Sequence, residues 1–110
     1  MRYRRLSDLD LEVSEIGFGA WGIGGVTRGA TSYGPVNDKE SMRALRLAYE
    51  RGVNFYDTAD VYGYGHSEEI IGKSLKSVRD KIIIATKVGF PDHNAPQDFS
   101  PNYIRVSLEK

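Results

Sequence analysis

The sequence predicts an α/β fold: an N-terminal β-hairpin, then three β-α units whose strands lie parallel in one sheet. Three observations carry that expectation. Short apolar runs alternate with amphipathic stretches in the order β-α-β-α-β-α. The runs Val53–Asp57 and Lys81–Lys87 are apolar on both faces, as in a parallel sheet covered by helices. Each of these two runs ends in a charged residue, Asp57 and Lys87.

The elements follow in order. Leu6, Leu9, Leu11, Val13 and Ile16 flank the turn-prone centre Ser7-Asp8-Leu9-Asp10, which reads as a hairpin over residues 3–16. Ile16–Trp21 reads as a short glycine-rich strand. The loop Gly22–Val36 follows, with five glycines and a proline, a length that usually marks function or disorder. Asn37 or Asp38 can cap the first helix, with Glu40 three residues after Asn37 as in a capping box. Met42, Leu45 and Tyr49 share one face of it, beside Ala44 and Ala48, and Gly52 ends it. The second helix is expected from Ser67, with Glu68 and Glu69 in its first turn and Ile70, Ile71 and Leu75 inward, fading near Ser77. A loop with two prolines spans Val88–Phe99, and Ser100-Pro101 opens a third helix with Ile104 and Leu108 on its apolar face.

Three β-α units complete no common parallel architecture. A closed barrel has eight and is typically ~250 residues long. The 110 residues are therefore expected to be the front third of a larger design, breaking off within the third helix.

Composition narrows the function classes. The chain is 40% hydrophobic and 27% charged, values of an ordinary soluble domain. Fifteen basic residues balance fifteen acidic ones, which favours neither nucleic acid nor an acidic membrane surface as partner. No run approaches the ~18 apolar residues of a membrane span. The lack of cysteine removes disulfide and thiolate chemistry and is compatible with a cytoplasmic location. His66 and His93 have no metal-ligand spacing between them, so no metal site is expected.

Gly17-Phe18-Gly19-Ala20-Trp21-Gly22 matches G-x-G-x-x-G. The dinucleotide fingerprint needs a helix to begin inside that motif and an acidic strand end about twenty residues later. Here a loop begins instead, and position 42 falls inside a helix. The glycines either let backbone pack closely or let a ligand approach, and Trp21 is either core or ligand platform. Asp57 alone could cap a turn, Tyr62 is one of seven tyrosines, and Lys87 alone could be a solvated strand end. Together they say more. If Asp57 points to one face of its strand, so do Phe55 and Val53, and Lys87 shares a face with Ala85 and Ile83. Neighbouring parallel strands would bring both charges to the C-terminal end of the sheet, where barrel active sites lie. A phenol with a pKa near ~10 is a poor acid at neutral pH, and an ammonium beside it favours the phenolate. A carboxylate holds that ammonium in place. Such a triad can give a proton to a carbonyl oxygen but needs a cofactor for the hydride.

These residues resemble a known family. Phe55-Tyr56-Asp57-Thr58-Ala59-Asp60-Val61-Tyr62-Gly63, followed by Gly65-His66-Ser67-Glu68-Glu69 and Gly72, resembles the signature of the aldo-keto reductases. Gly17–Gly22 resembles the first strand and loop of their bacterial branch, and Ile83–Lys87 resembles their lysine-bearing third strand. The resemblance implies a (β/α)8 TIM barrel with the hairpin plugging its base, and NADPH-dependent reduction of aldehydes and ketones. It implies Tyr62 as proton donor, tuned by Lys87 and Asp57. It implies Gly19, Ala20, Trp21 and Asp57 along the cofactor, and Trp21 and Tyr62 beside a small carbonyl substrate. The family's catalytic histidine at the end of strand four and its adenosine-phosphate segments have no counterpart in the 110 residues, so the isolated chain is expected to be inactive. The alternative is a truncated, non-catalytic product or interaction fragment that needs a partner chain over its open sheet.

Overall fold

The computed structural model describes residues 1–6, 8–26, 33–91 and 95–109. Ser7 of the hairpin turn, part of each long loop, His93 and Lys110 lie outside the described residues.

Strands β1 (Tyr3–Leu6) and β2 (Leu11–Ser14) pair antiparallel, with Leu6 opposite Leu11 and Tyr3 opposite Ser14. Asp10 takes a φ of 50° in the turn, a conformation that a short polar side chain tolerates. The parallel sheet is β3 (Phe18–Gly19), β4 (Phe55–Asp57) and β5 (Ile83–Ala85), with β4 in the middle. Phe18, Tyr56 and Ile84 stand in one row, and Gly19, Asp57 and Ala85 in the next. Three helices follow these strands in turn: α1 (Asp38–Glu50), α2 (His66–Leu75) and α3 (Pro101–Leu108). Among the described residues no helix is long and apolar enough to cross a membrane.

The row of Tyr56 faces the helices. Tyr56, Leu45, Ile70, Ile71 and Leu75 are buried in one cluster, with Phe18, Ile84, Met42 and Tyr49 packed against it. Each fully buried Leu or Ile contributes about 1.5–3 kcal/mol of hydrophobic stabilisation, so this cluster is what holds the two helices to the sheet. Alternation puts Phe55 and Asp57 on the opposite, half-buried face.

The strands are shorter than the apolar runs. Val53 is not in line with Phe55; it is buried in the cluster with Leu45 and Tyr56, because its N–H closes the end of α1 on Ala48 O at 3.0 Å. Trp21 is not a strand residue. Trp21–Ile23 form a 3-10 turn, with Gly24 N donating to Trp21 O at 3.1 Å. Nor does α2 begin at Ser67. It follows Gly65, whose φ of 94° lies in the left-handed region, and Ser67 sits inside the first turn. A 3-10 segment, Lys76–Lys81, fills the stretch where α2 was expected to fade. Ala44 is exposed, not packed beside the apolar face. On α3, Leu108 is likewise exposed, while Ile104 is half-buried.

The expected caps are present in part. Asn37 Oδ1 accepts from Lys39 N at 3.0 Å and Glu40 N at 3.3 Å, and Glu40 turns to Arg43 at 3.8 Å. Ser100 Oγ accepts from Tyr103 N at 3.2 Å, and Pro101 opens α3.

The hairpin docks at the N-terminal end of the sheet. Asn54, just before β4, accepts from Ser14 N at 2.8 Å and donates its side chain to Glu12 O at 2.8 Å. Tyr3 donates to Gly52 O at 2.8 Å. Gly52 has a φ of 89°, and a Cβ there would stand 2.9 Å from both Met1 and Tyr3, so glycine is needed twice over. The hairpin's contacts leave the opposite, C-terminal end of the strands uncovered by it.

Candidate active site

Each strand of the sheet delivers its next residues to one end. The ladder runs on past the strands: Ala20 N donates to Asp57 O at 2.8 Å, Thr58 N to Ala85 O at 2.8 Å and Asp60 N to Lys87 O at 3.2 Å. Asp57 lies beside Gly19 on one side and Ala85 on the other, and Lys87 is two residues beyond Ala85. The parity of the two strands thus aims the carboxylate and the ammonium at each other.

Lys87 Nζ donates to Asp57 Oδ1 at 2.7 Å and to Thr58 O at 2.9 Å. It also stands 5.4 Å from the centre of the Tyr62 ring, within cation-π range. Partial burial works to lower the Lys87 pKa. The hydrogen bond to Asp57, with Tyr62 and the Asp57 charge, outweighs it and leaves the ammonium above its ordinary value. About half of the Lys87 side chain and 42% of that of Asp57 stay exposed. An ion pair so exposed contributes about 0–1 kcal/mol to folding. Its main effect is to hold a permanent positive charge beside a phenol.

Tyr62 is placed by backbone, not by packing alone. Its N–H donates to Ala59 O at 3.1 Å, and its carbonyl accepts from Ser67 N at 3.1 Å. The next residue, Gly63, has a φ of 66°, and a Cβ there would fall 1.9 Å from Gly24 O. A Cβ on Gly24 would in turn meet Tyr62 C at 2.9 Å. Only two glycines let the turn after β3 and the loop after β4 touch, and that contact brings Trp21 to Tyr62. Their ring centres are 6.5 Å apart, and Trp21 is 40% exposed.

The structure therefore gathers Gly19, Ala20, Trp21, Asp57, Tyr62 and Lys87 at one end of the sheet. A Cβ on Gly19 would meet nothing within 4 Å, so the surface beside Asp57 is open. Ala20, expected along the cofactor, is instead fully buried: its N–H is bonded to Asp57 O and its carbonyl accepts from Ser67 Oγ and Ile23 N, so it presents no surface to a ligand. His66 stands outside this group, with Nε2 2.9 Å from Asp38 Oδ1, joining the first turns of α2 and α1.

Sequence reasoning missed the residues that brace the site. Ser67 and Thr58 are buried, with Oγ and Oγ1 2.9 Å apart, and Ser67 Oγ donates to Ala20 O at 3.0 Å. This small network ties the ends of β3 and β4 to α2. A signal existed: Ser67, Ile70, Ile71 and Ser74 lie at i, i+3, i+4 and i+7, the buried stripe of α2. Tyr33, whose ring centre is 4.8 Å from that of Trp21, had no signal beyond its loop.

Comparison with known proteins identifies the family and the fold. The profile of the aldo/keto reductase family matches residues 15–110. An aldo-keto reductase of Bacillus subtilis is 43% identical over 89 residues, covering 79% of this chain and 25% of its own length. The holo form of an aldo-keto reductase from Bacillus halodurans superposes with a TM-score of 0.81 at 34% identity, over 99% of this chain and 34% of that one. An aldo/keto reductase from Klebsiella pneumoniae, solved with NADP and acetate, superposes with a TM-score of 0.62 at 25% identity, over 91% of this chain and 32% of that one. The chain spans about a quarter to a third of the length of the curated relatives it matches. With a family profile over nearly all its residues and the same fold in solved members, the chain belongs to the aldo/keto reductase family.

Proposed function

We propose that residues 1–110 form the N-terminal part of a (β/α)8 barrel that reduces aldehydes and ketones to alcohols with NADPH. One observation carries the proposal: the Lys87 ammonium sits between the Asp57 carboxylate at 2.7 Å and the Tyr62 ring at 5.4 Å, at the C-terminal end of adjacent parallel strands. A barrel places its chemistry at that end.

Tyr62 is the proton donor. Its phenol O–H breaks as the carbonyl oxygen takes the proton, and the Lys87 ammonium stabilises the phenolate that remains. Asp57 and the Thr58 carbonyl hold Lys87 still, so no reorganisation is needed when charge develops. Solvent returns the proton to Tyr62. When bound, NADPH supplies the hydride that makes the new C–H bond. The residues present suit its nicotinamide end. Gly19 leaves open surface next to Asp57, and Trp21 presents a partly exposed ring. Gly19, Trp21 and Asp57 would hold it, and a Klebsiella pneumoniae relative solved with NADP supports the choice of nucleotide. We place the enzyme in the cytoplasm and its substrates among small carbonyl compounds. The 110 residues on their own are proposed to be inactive. A purely non-catalytic chain would give no reason for Lys87 to stand between Asp57 and Tyr62.

Tyr62→Phe tests the proposal in the protein as its source cell makes it. It removes the O–H and keeps the ring beside Trp21 and Lys87. Carbonyl reduction should fall by about 10²–10⁴-fold with NADPH affinity unchanged. Retained turnover would reject Tyr62 as the donor.

A further inference from the structure

Tyr33 is an aromatic residue that the fold does not need. It belongs to no buried cluster, and 77% of its surface is exposed. Yet its ring is not loose in solvent. It lies 4.8 Å from the Trp21 ring centre, tilted by 47°, within the range that aromatic pairs prefer. A Cβ on Gly22 would stand 3.7 Å from the Tyr33 ring, so the ring rests over main chain as well as over the indole. Gly34, with a φ of 101°, and Pro35 follow it and fix the direction of the chain. Trp21 in turn faces Tyr62, and Tyr62 faces Lys87. An aromatic surface thus runs without a break from the proton donor out to Tyr33. Exposed aromatic surface that continues from a site in this way is available to a ligand in that site.

We propose that Tyr33 is a substrate-selecting residue. With Trp21 it forms an aromatic wall beside Tyr62 that takes carbonyl compounds carried on a flat aromatic ring in preference to alkyl carbonyls. The proposal rests on the reductase function given above. Its physical basis is the geometry of aromatic contacts: a planar ring against Trp21 and Tyr33 gains offset or edge contacts that an alkyl chain does not. Tyr33 acts on binding, and the proton donor acts on the chemical step.

The test uses NADPH oxidation by the protein as its source cell makes it, with benzaldehyde and butanal as probes. Tyr33→Ala and Tyr33→Phe are compared with the parent. Tyr33 is exposed, so neither change removes core packing. Tyr33→Ala should raise KM for benzaldehyde about five- to tenfold, leave KM for butanal within about twofold, and leave both kcat values unchanged. Tyr33→Phe should behave as the parent. An equal loss for both aldehydes, or no loss for benzaldehyde, would overturn the proposal. Should the parent reduce neither aldehyde, the reductase function fails, and binding of benzyl alcohol decides the aromatic wall separately. Saturable binding by ligand-observed NMR, weakened by Tyr33→Ala to a similar degree, would support the wall; no binding would overturn it.

Discussion

Ser67→Ala isolates the network that braces the site. The substitution removes one oxygen and leaves the helix and its apolar stripe intact. Two hydrogen bonds go with it, one to Ala20 O at 3.0 Å and one shared with Thr58 Oγ1 at 2.9 Å. Ser67 and Thr58 are both buried, so water does not replace the lost partner. A net hydrogen bond contributes about 0.5–1.5 kcal/mol, and an orphaned buried group costs about 1–3 kcal/mol. Two facts keep the cost low in that range. Ala20 O still accepts from Ile23 N at 3.3 Å, and the Thr58 hydroxyl is left with one missing acceptor, not two. The expected loss is about 1.5–2 kcal/mol. Thr58→Val should cost about 1 kcal/mol, since Ser67 keeps its bond to Ala20. The double substitution should cost less than the sum, with a coupling of about 0.5–1 kcal/mol. Urea unfolding reads all three as shifts in midpoint at constant m value. A loss below about 0.5 kcal/mol for Ser67→Ala, or strict additivity in the double variant, would refute the network as a brace.

Tyr56 carries a pH signature. Burial, then the neighbouring Tyr49, pushes its pKa from 10.0 up to about 12. Above pH ~10 the unfolded chain loses the Tyr56 proton while the folded chain keeps it, so folding stability falls as pH rises through this window. The full stability is present below pH ~10, and the total loss is about 2–3 kcal/mol at ~1.4 kcal/mol per unit. Tyr56→Phe should flatten that alkaline slope, as measured by urea midpoints between pH 9 and 12 or so; identical slopes would reject the assignment. Lys87→Met separates chemistry from folding. The Asp57–Lys87 pair is about half exposed, so stability should move by less than about 1 kcal/mol. Turnover should fall by about 10² or more in steady-state assays. Unchanged turnover, or a large drop in melting temperature, would contradict the role given to Lys87.

Much of this arrangement was legible in the sequence because local rules carried it. The hairpin, the order of elements, the Asn37 and Ser100 caps and the inward faces of α1 and α2 follow from spacing alone. The approach of Asp57 to Lys87 was legible for a different reason: period-two alternation and parallel neighbours fix where two strand ends point. Failures began where tertiary contact overrides the local pattern. Trp21 looked like a strand residue, but the touching pair Gly24 and Gly63 folds its segment into a 3-10 turn against the loop of Tyr62. Val53 continues an apolar run, yet the closing of α1 on Ala48 O turns it into the core. Ser67 looked like the start of a helix. It is a buried contact because β3 ends directly beside it. Tyr33 contacts Trp21 from twelve residues away across a loop, a pairing that no periodicity encodes.

Hydride reduction assisted by Tyr62 can be followed with an isotope. The protein as its source cell makes it is incubated with benzaldehyde and NADPH deuterated at the transferring position, and the benzyl alcohol is analysed by mass spectrometry. Deuterium on the carbinol carbon, with label transfer lost in Tyr62→Phe while NADPH still binds, is the predicted result. Alcohol formed without deuterium, or equal label transfer by Tyr62→Phe, would contradict hydride reduction assisted by Tyr62, Lys87 and Asp57.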